Sequence, residues 1–205
     1  MPEDAYRAVG SMAEVGPLLR SKFSLYRSRG AYAAYHAAAA QGQAVQGSAL
    51  YSELVIANRL VCPSYVSYET ALHWYGLLPV GTGNVIKSAC PMGRTRSVFC
   101  GAEEYLYIVM AKKYFAVGQA AVPHAEPLYA IATPEKALCD LVLATSWLKF
   151  RTNTGVRNYL HRTLGIPEAK LRQLSPELVE SCAAVAHKKK GSLQLLAAYL
   201  RERSC

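Results

Sequence analysis

The sequence predicts an α+β fold: a short antiparallel β-meander packed against helices, followed by a small C-terminal helical bundle. Three observations predict it. Between residues 80 and 132 come short runs rich in aromatic and β-branched residues, separated by Gly, Pro, Lys and Arg, the pattern of a meander. After Ala132 helix-start signals recur, Thr133-Pro134-Glu135 and then Ser175-Pro176-Glu177, each an N-cap residue, a proline at the first helical position and an acid in the first turn. Apolar residues then repeat at helical spacing to the end of the chain.

Taken in order, residues 1–47 form a short N-terminal segment. A helix is expected around Tyr6–Leu19, and Gly42 and Gly47 mark a linker over 41–48. Residues 48–205 form the main domain. Its first part, 48–76, is helical, with Leu50, Leu54, Ile56 and Ala57 on the apolar face of a helix ending near Leu60. Pro63 interrupts it. Ser67 then stands as an N-cap, Glu69 suits the positive helix end, and Gly76 suits the C′ position before Pro79.

The meander, 80–132, contains NVIKSAC, RSVFC, EYLYIVMA, YFAVG and LYAIA. In the third, Tyr105, Tyr107 and Val109 alternate with Leu106, Ile108 and Met110, which predicts cover on both faces. Residues 133–205 are helices. Leu138, Leu141, Val142 and Leu148 make one buried stripe, and Lys136 and Asp140, at i and i+4, make a surface ion pair. A second helix covers about 154–164, and a short one opens at Pro167. Leu178, Cys182, Val185 and Ala186 share a face of the next, and Leu193, Leu196, Ala197 and Leu200 are the buried side of the last.

Composition narrows the functional classes. The chain has 205 residues, 52% hydrophobic and 18% charged, a globular balance. Without an apolar run of about 18 residues no membrane span is expected. The acidic start MPEDAYRAVG does not read as a secretory signal. Six scattered cysteines, none in C-x-x-C spacing, fit reduced thiols and a cytoplasmic location. The net charge is +9, and residues 149–205 carry eleven Lys and Arg against four Glu. Such a surplus suits nucleic acid or an acidic protein partner, and equally a solvated helical surface.

Catalytic motifs are missing. VGTGN (80–84) lacks the Lys-Ser/Thr of a P-loop, and neither H-E-x-x-H nor G-x-S-x-G occurs. With Asp4 and Asp140 the only aspartates, a carboxylate cluster for magnesium is not expected. No catalytic residue, metal or cofactor is therefore assigned, although a cysteine nucleophile beside one of five histidines stays open. HKKKG (187–191) suits either a phosphate grip or a solvated turn.

The ring-rich stretch PSYVSYETALHWYGLLP (63–79) reads as a ligand cage, a stacking surface or core. A helix from Tyr68 puts Tyr68, Ala71, Leu72 and Tyr75 on one stripe at i, i+3, i+4 and i+7, which favours core. His73 and Trp74 fall at its edge and are the members to test for a partner contact.

Two elements resemble a known family. Pro63, Ser64, Tyr65, Ser67, Ala71, Leu72, Tyr75, Gly76 and Pro79 match P-S-Y-[VI]-S-x-x-x-A-L-x-x-[YH]-G-L-[IL]-P. Some fifty residues later Ala132, Pro134, Glu135, Lys136, Ala137, Leu138 and Asp140 match A-x-P-E-K-A-L-x-D. The order resembles the AbiEi-type antitoxins, also described as transcriptional regulators of viral defence systems, over residues 48–203. The resemblance implies a non-enzymatic antitoxin partnered with a nucleotidyltransferase-like toxin in abortive infection. It also implies autorepression through an N-terminal winged helix-turn-helix. Here FSLYRSRGAYAA (23–34), with Arg27 and Arg29, resembles only the wing, and 22 residues precede Phe23; a truncated or degenerate DNA-binding unit is expected. Candidate contacts to nucleic acid or a partner are Arg27, Arg29, His73, Trp74, Lys188, Lys189, Lys190, Arg201 and Arg203. The alternatives are a basic DNA-binding repressor and a small-ligand binder or enzyme built on the aromatic stretch.

Overall fold

The computed structural model describes residues 53–78, 83–100, 102–121 and 129–203. The linker, the wing-like segment, Arg27 and Arg29 lie outside the described residues. The elements are α1 (Glu53–Leu60), β1 (Tyr65–Val66), α2 (Tyr68–Trp74), β2 (Val85–Cys90), β3 (Arg96–Cys100), β4 (Glu103–Val109), α3 (Lys112–Phe115), β5 (Gln119–Ala121) and β6 (Ala130–Ala132). The helical half follows as α4 (Pro134–Ala144), α5 (Asn153–Arg157) with a π-helical continuation (Asn158–Thr163), α6 (Glu168–Leu171), α7 (Pro176–Val185) and α8 (Lys190–Arg201). The fold is α+β. Among the described residues no helix is long and apolar enough to cross a membrane.

The sheet is mixed, which corrects the expected antiparallel meander. Its order is β3-β4-β2-β1-β6-β5. β3 pairs antiparallel with β4, β1 with β2, and β5 with β6, but β2 runs parallel to β4 and β1 parallel to β6. The two-residue strand β1 causes the difference. It lies between β2 and β6, and β3 returns to the outer edge, so β2 and β3, like β4 and β5, follow one another in the chain without pairing in the sheet.

YFAVG, expected as a strand, begins instead inside α3. Tyr114 and Phe115 are consecutive and both buried, whereas a strand would send them to opposite faces. A single helical turn, closed by the Phe115 N–H on the Ala111 carbonyl at 2.9 Å, turns both rings inward. Cover on β4 is uneven. Tyr105 and Tyr107 are fully buried, while Leu106 and Ile108 are half-buried.

In α1 the buried residues are Val55, Ala57 and Asn58, not the predicted Leu54 and Ile56, which are half-buried. The face is turned because Asn58 faces inward. Its Oδ1 accepts from the Ala130 N–H at 2.9 Å and its Nδ2 donates to the Ala130 carbonyl at 3.2 Å. The amide thus pairs with β6 as a strand residue would. Beside it the Tyr107 hydroxyl donates to the Ala57 carbonyl at 2.6 Å. Asn58→Ala is expected to cost about 2–3 kcal/mol, because it leaves buried backbone groups unmatched. Urea unfolding measures this, and a loss below about 0.5 kcal/mol would contradict the bridge.

α2 ends as its sequence predicts. Gly76 has φ +69°, its N–H donates to the His73 carbonyl at 2.9 Å, and the Leu77 N–H donates to the Leu72 carbonyl at 2.8 Å. This is a Schellman close, with Leu72 and Leu77 as its apolar pair. Tyr68, Ala71 and Leu72 are buried; Tyr75, expected in the core stripe, is half-buried at the C-cap.

In the helical half, Thr133 and Ser175 cap α4 and α7, accepting from the N–H groups of Lys136 and Leu178. α4 is the central helix, packed on α2, α7, α8 and β6. Its residues 134–143 are all buried. The core face of α7 is Val179, Cys182 and Ala183, one residue round from the predicted set; Leu178 is half-buried and Val185 exposed. Leu193, Leu196, Ala197 and Leu200 of α8 are buried as expected, joined by Tyr199.

Candidate functional site

The polar residues of the two sequence elements meet inside the protein. Asp140 on α4 accepts through Oδ2 from the Ser67 hydroxyl at 2.6 Å and from the Tyr65 hydroxyl at 3.0 Å. Its Oδ1 lies 3.1 Å from Lys136 Nζ. Lys136 and Asp140 were expected as a surface pair, and both are wholly buried. The reason is the position of α4, which has no solvent face over these turns. Lys136 Nζ also donates to the Tyr114 carbonyl at 3.0 Å and sits 3.1 Å from the centroid of that ring, a favourable cation–π placement.

Gly118 lets the lysine stem pass. Its φ is +71°, and a Cβ there would lie 2.8 Å from Lys136 Cβ. Ser67 occupies the N-cap position of α2, but its hydroxyl serves Asp140 and makes no cap bond. Burial, then the Asp140 charge, pushes the Tyr65, Tyr68 and Tyr114 hydroxyls well above the usual tyrosine range. Of the other element residues, Glu135 is buried and accepts from the Ser175 N–H at 2.9 Å, Pro134 opens α4, Pro63 follows Cys62 through a cis peptide, and Ser64 is buried. The network joins β1, α2 and α4 and is closed to solvent. Its chemistry holds the fold together.

The predicted contact residues divide into three sets. His73 and Trp74 are on the surface, Trp74 edge-on to Tyr75 with ring centroids 4.7 Å apart. His73 Nδ1 lies 3.2 Å from the Leu78 carbonyl. Arg201 and Arg203 are paired: Arg201 reaches Glu180 at 2.7 Å and Glu177 at 3.5 Å, while Arg203 reaches Glu168 at 3.3 Å and stacks on Tyr199. Lys189 is turned inward. Its ammonium donates to the carbonyls of Val142 (2.9 Å) and Thr145, completing the C-terminal end of α4. Burial, then neighbouring Lys188, lowers its pKa. Lys188 and Lys190 remain exposed.

This bridge brings a second segment to the same place. After α4 the chain makes a turn over Ser146 and Trp147, closed by the Leu148 N–H on the Thr145 carbonyl at 3.1 Å, and runs on irregularly to 151, with Leu148 and Phe150 buried and Trp147, Lys149 and Arg151 exposed. The Phe150 N–H donates to Ser192 Oγ at 3.0 Å, fastening the segment to the first turn of α8. Trp147, Lys149, Arg151, Lys188 and Lys190 thus share one face, assembled from segments some forty residues apart. Sequence reasoning missed the first three. The signal was there: W-L-K-F-R alternates, and no Asp or Glu occurs in 141–167 or 181–201.

Among the described residues no group of three or more His, Cys, Asp and Glu could hold a metal ion. Burial, then contact with Cys182, raises the Cys139 thiol, the opposite of an activated nucleophile. Compared with models of protein families, with curated proteins and with solved structures, the chain matches none.

Proposed function

We propose that the chain is a non-enzymatic, antitoxin-like regulator of a bacterial abortive-infection system that neutralises a nucleotidyltransferase-like toxin. One observation supports this reading most. Tyr65 and Ser67 of the first element donate to Asp140 of the second across more than seventy residues of chain, and Asp140 in turn pairs with Lys136. The two elements are therefore one physical unit, and a sequence that keeps one needs the other. That dependence supports reading the two elements together.

The test is co-expression with the toxin-like product of the neighbouring gene. Restored growth and a co-purifying complex are the expected outcome. The double variant His73→Ala/Trp74→Ala, on an exposed part of α2, is expected to weaken that complex at least tenfold with an unchanged melting temperature. A folded chain that neither rescues growth nor alters toxin activity would refute the proposal.

A further inference from the structure

We infer that the face formed by Trp147, Lys149, Arg151, Lys188 and Lys190 binds single-stranded nucleic acid. This inference stands apart from the antitoxin reading and rests on a different surface. Trp147 is 75% exposed, so most of this large apolar side chain lies in water. It is held in place all the same, because Leu148 and Phe150 on either side of Lys149 are anchored in the core.

The two buried anchors leave Trp147, in the turn after α4, and Lys149 and Arg151 just beyond it exposed, one ring and two cations within five residues. The Lys189 bridge to α4 and the Ser192 bond to Phe150 bring Lys188 and Lys190 beside that stretch. Among the described residues no ion pair joins these four cations to an acid, in contrast to Arg201 and Arg203.

The ligand class follows from shape. A ring standing out among cations stacks on a base that has left its own stack, as single strands allow. An acidic protein segment would engage the same cations, and poly-glutamate tests for it.

The chain has two tryptophans, Trp74 and Trp147, so Trp74→Phe leaves Trp147 as the only indole. The experiment titrates this full-length variant with a twelve-nucleotide oligothymidylate at low salt, reading tryptophan quenching, with a fluorescein-labelled strand to give Kd. The expected result is saturable quenching, with affinity falling as salt rises at a log–log slope of about −2 to −3 for three or four phosphates. Lys149→Glu/Arg151→Glu is expected to raise Kd at least tenfold. Trp147→Ala, at a position too exposed to disturb the core, should raise it roughly tenfold, the value of one stacked base. Heparin should compete without quenching. Absence of binding at low salt would overturn the inference, as would tighter binding of the duplex form or of poly-glutamate. Equal affinity of the Trp147→Ala variant would overturn it too.

Discussion

Asp140→Ala is expected to lower stability by about 3–5 kcal/mol, the usual cost of removing one partner from a buried ion pair. The substitution leaves the Lys136 ammonium with no counter-charge at a site with no solvent access. It also takes the acceptor from the Tyr65 and Ser67 hydroxyls. The Tyr114 carbonyl and ring still face the ammonium, but neither carries a full negative charge. The double variant Lys136→Met/Asp140→Ala is expected to lose less than the sum of the two single losses, because no charge is then stranded. Urea unfolding of the four proteins decides this. Additive losses, or a single loss under about 1 kcal/mol, would show that the pair is not desolvated as described. Asp140 variants that fail to neutralise a toxin would do so through the fold, which is why the functional test above uses exposed His73 and Trp74.

What the sequence made legible was mostly local. Thr133 and Ser175 as caps, Gly76 as the left-handed close of α2, and the buried side of α8 all follow from interactions within a few residues. So does the α+β class. What was not legible depended on distant partners. Tyr65–Val66 is too short to read as a strand, yet it sits in the sheet interior because β2 and β6 need something between them. Asn58 has the composition of a surface residue and is buried because Ala130, seventy-two residues away, offers it a carbonyl and an amide. Lys136 and Asp140 have the spacing of a surface pair, and only the packing around α4 shows otherwise. The cationic face lay hidden for the same reason. Lys188 and Lys190 were visible as a run, but their companions Trp147, Lys149 and Arg151 come from another segment. Lys189, in the middle of the run, turned out to be the tether that joins the two.

Raising the pH above about 10 is expected to unfold the protein cooperatively. The hydroxyls of Tyr65, Tyr68, Tyr107, Tyr114 and Tyr159 are all held above the ordinary tyrosine range, burial being the first cause in each. In the unfolded chain each ionises near pH 10. The sign follows from proton binding. Below pH 10 both states keep these protons and nothing is lost. Above it the unfolded state releases them and the folded state does not, so stability falls as pH rises. At one unit above 10 each such tyrosine favours unfolding by about 1.4 kcal/mol, and the five together by about 7 kcal/mol. That is comparable to the whole stability of an ordinary domain. Tyrosinate absorbance followed alongside far-ultraviolet circular dichroism checks it. The buried tyrosines should ionise together in a single step as that signal collapses. Ionisation of all fourteen tyrosines near pH 10 with the helices unchanged would mean that the network around Asp140 is open to water, and the account of α4 as the sealed centre of the fold would fall with it.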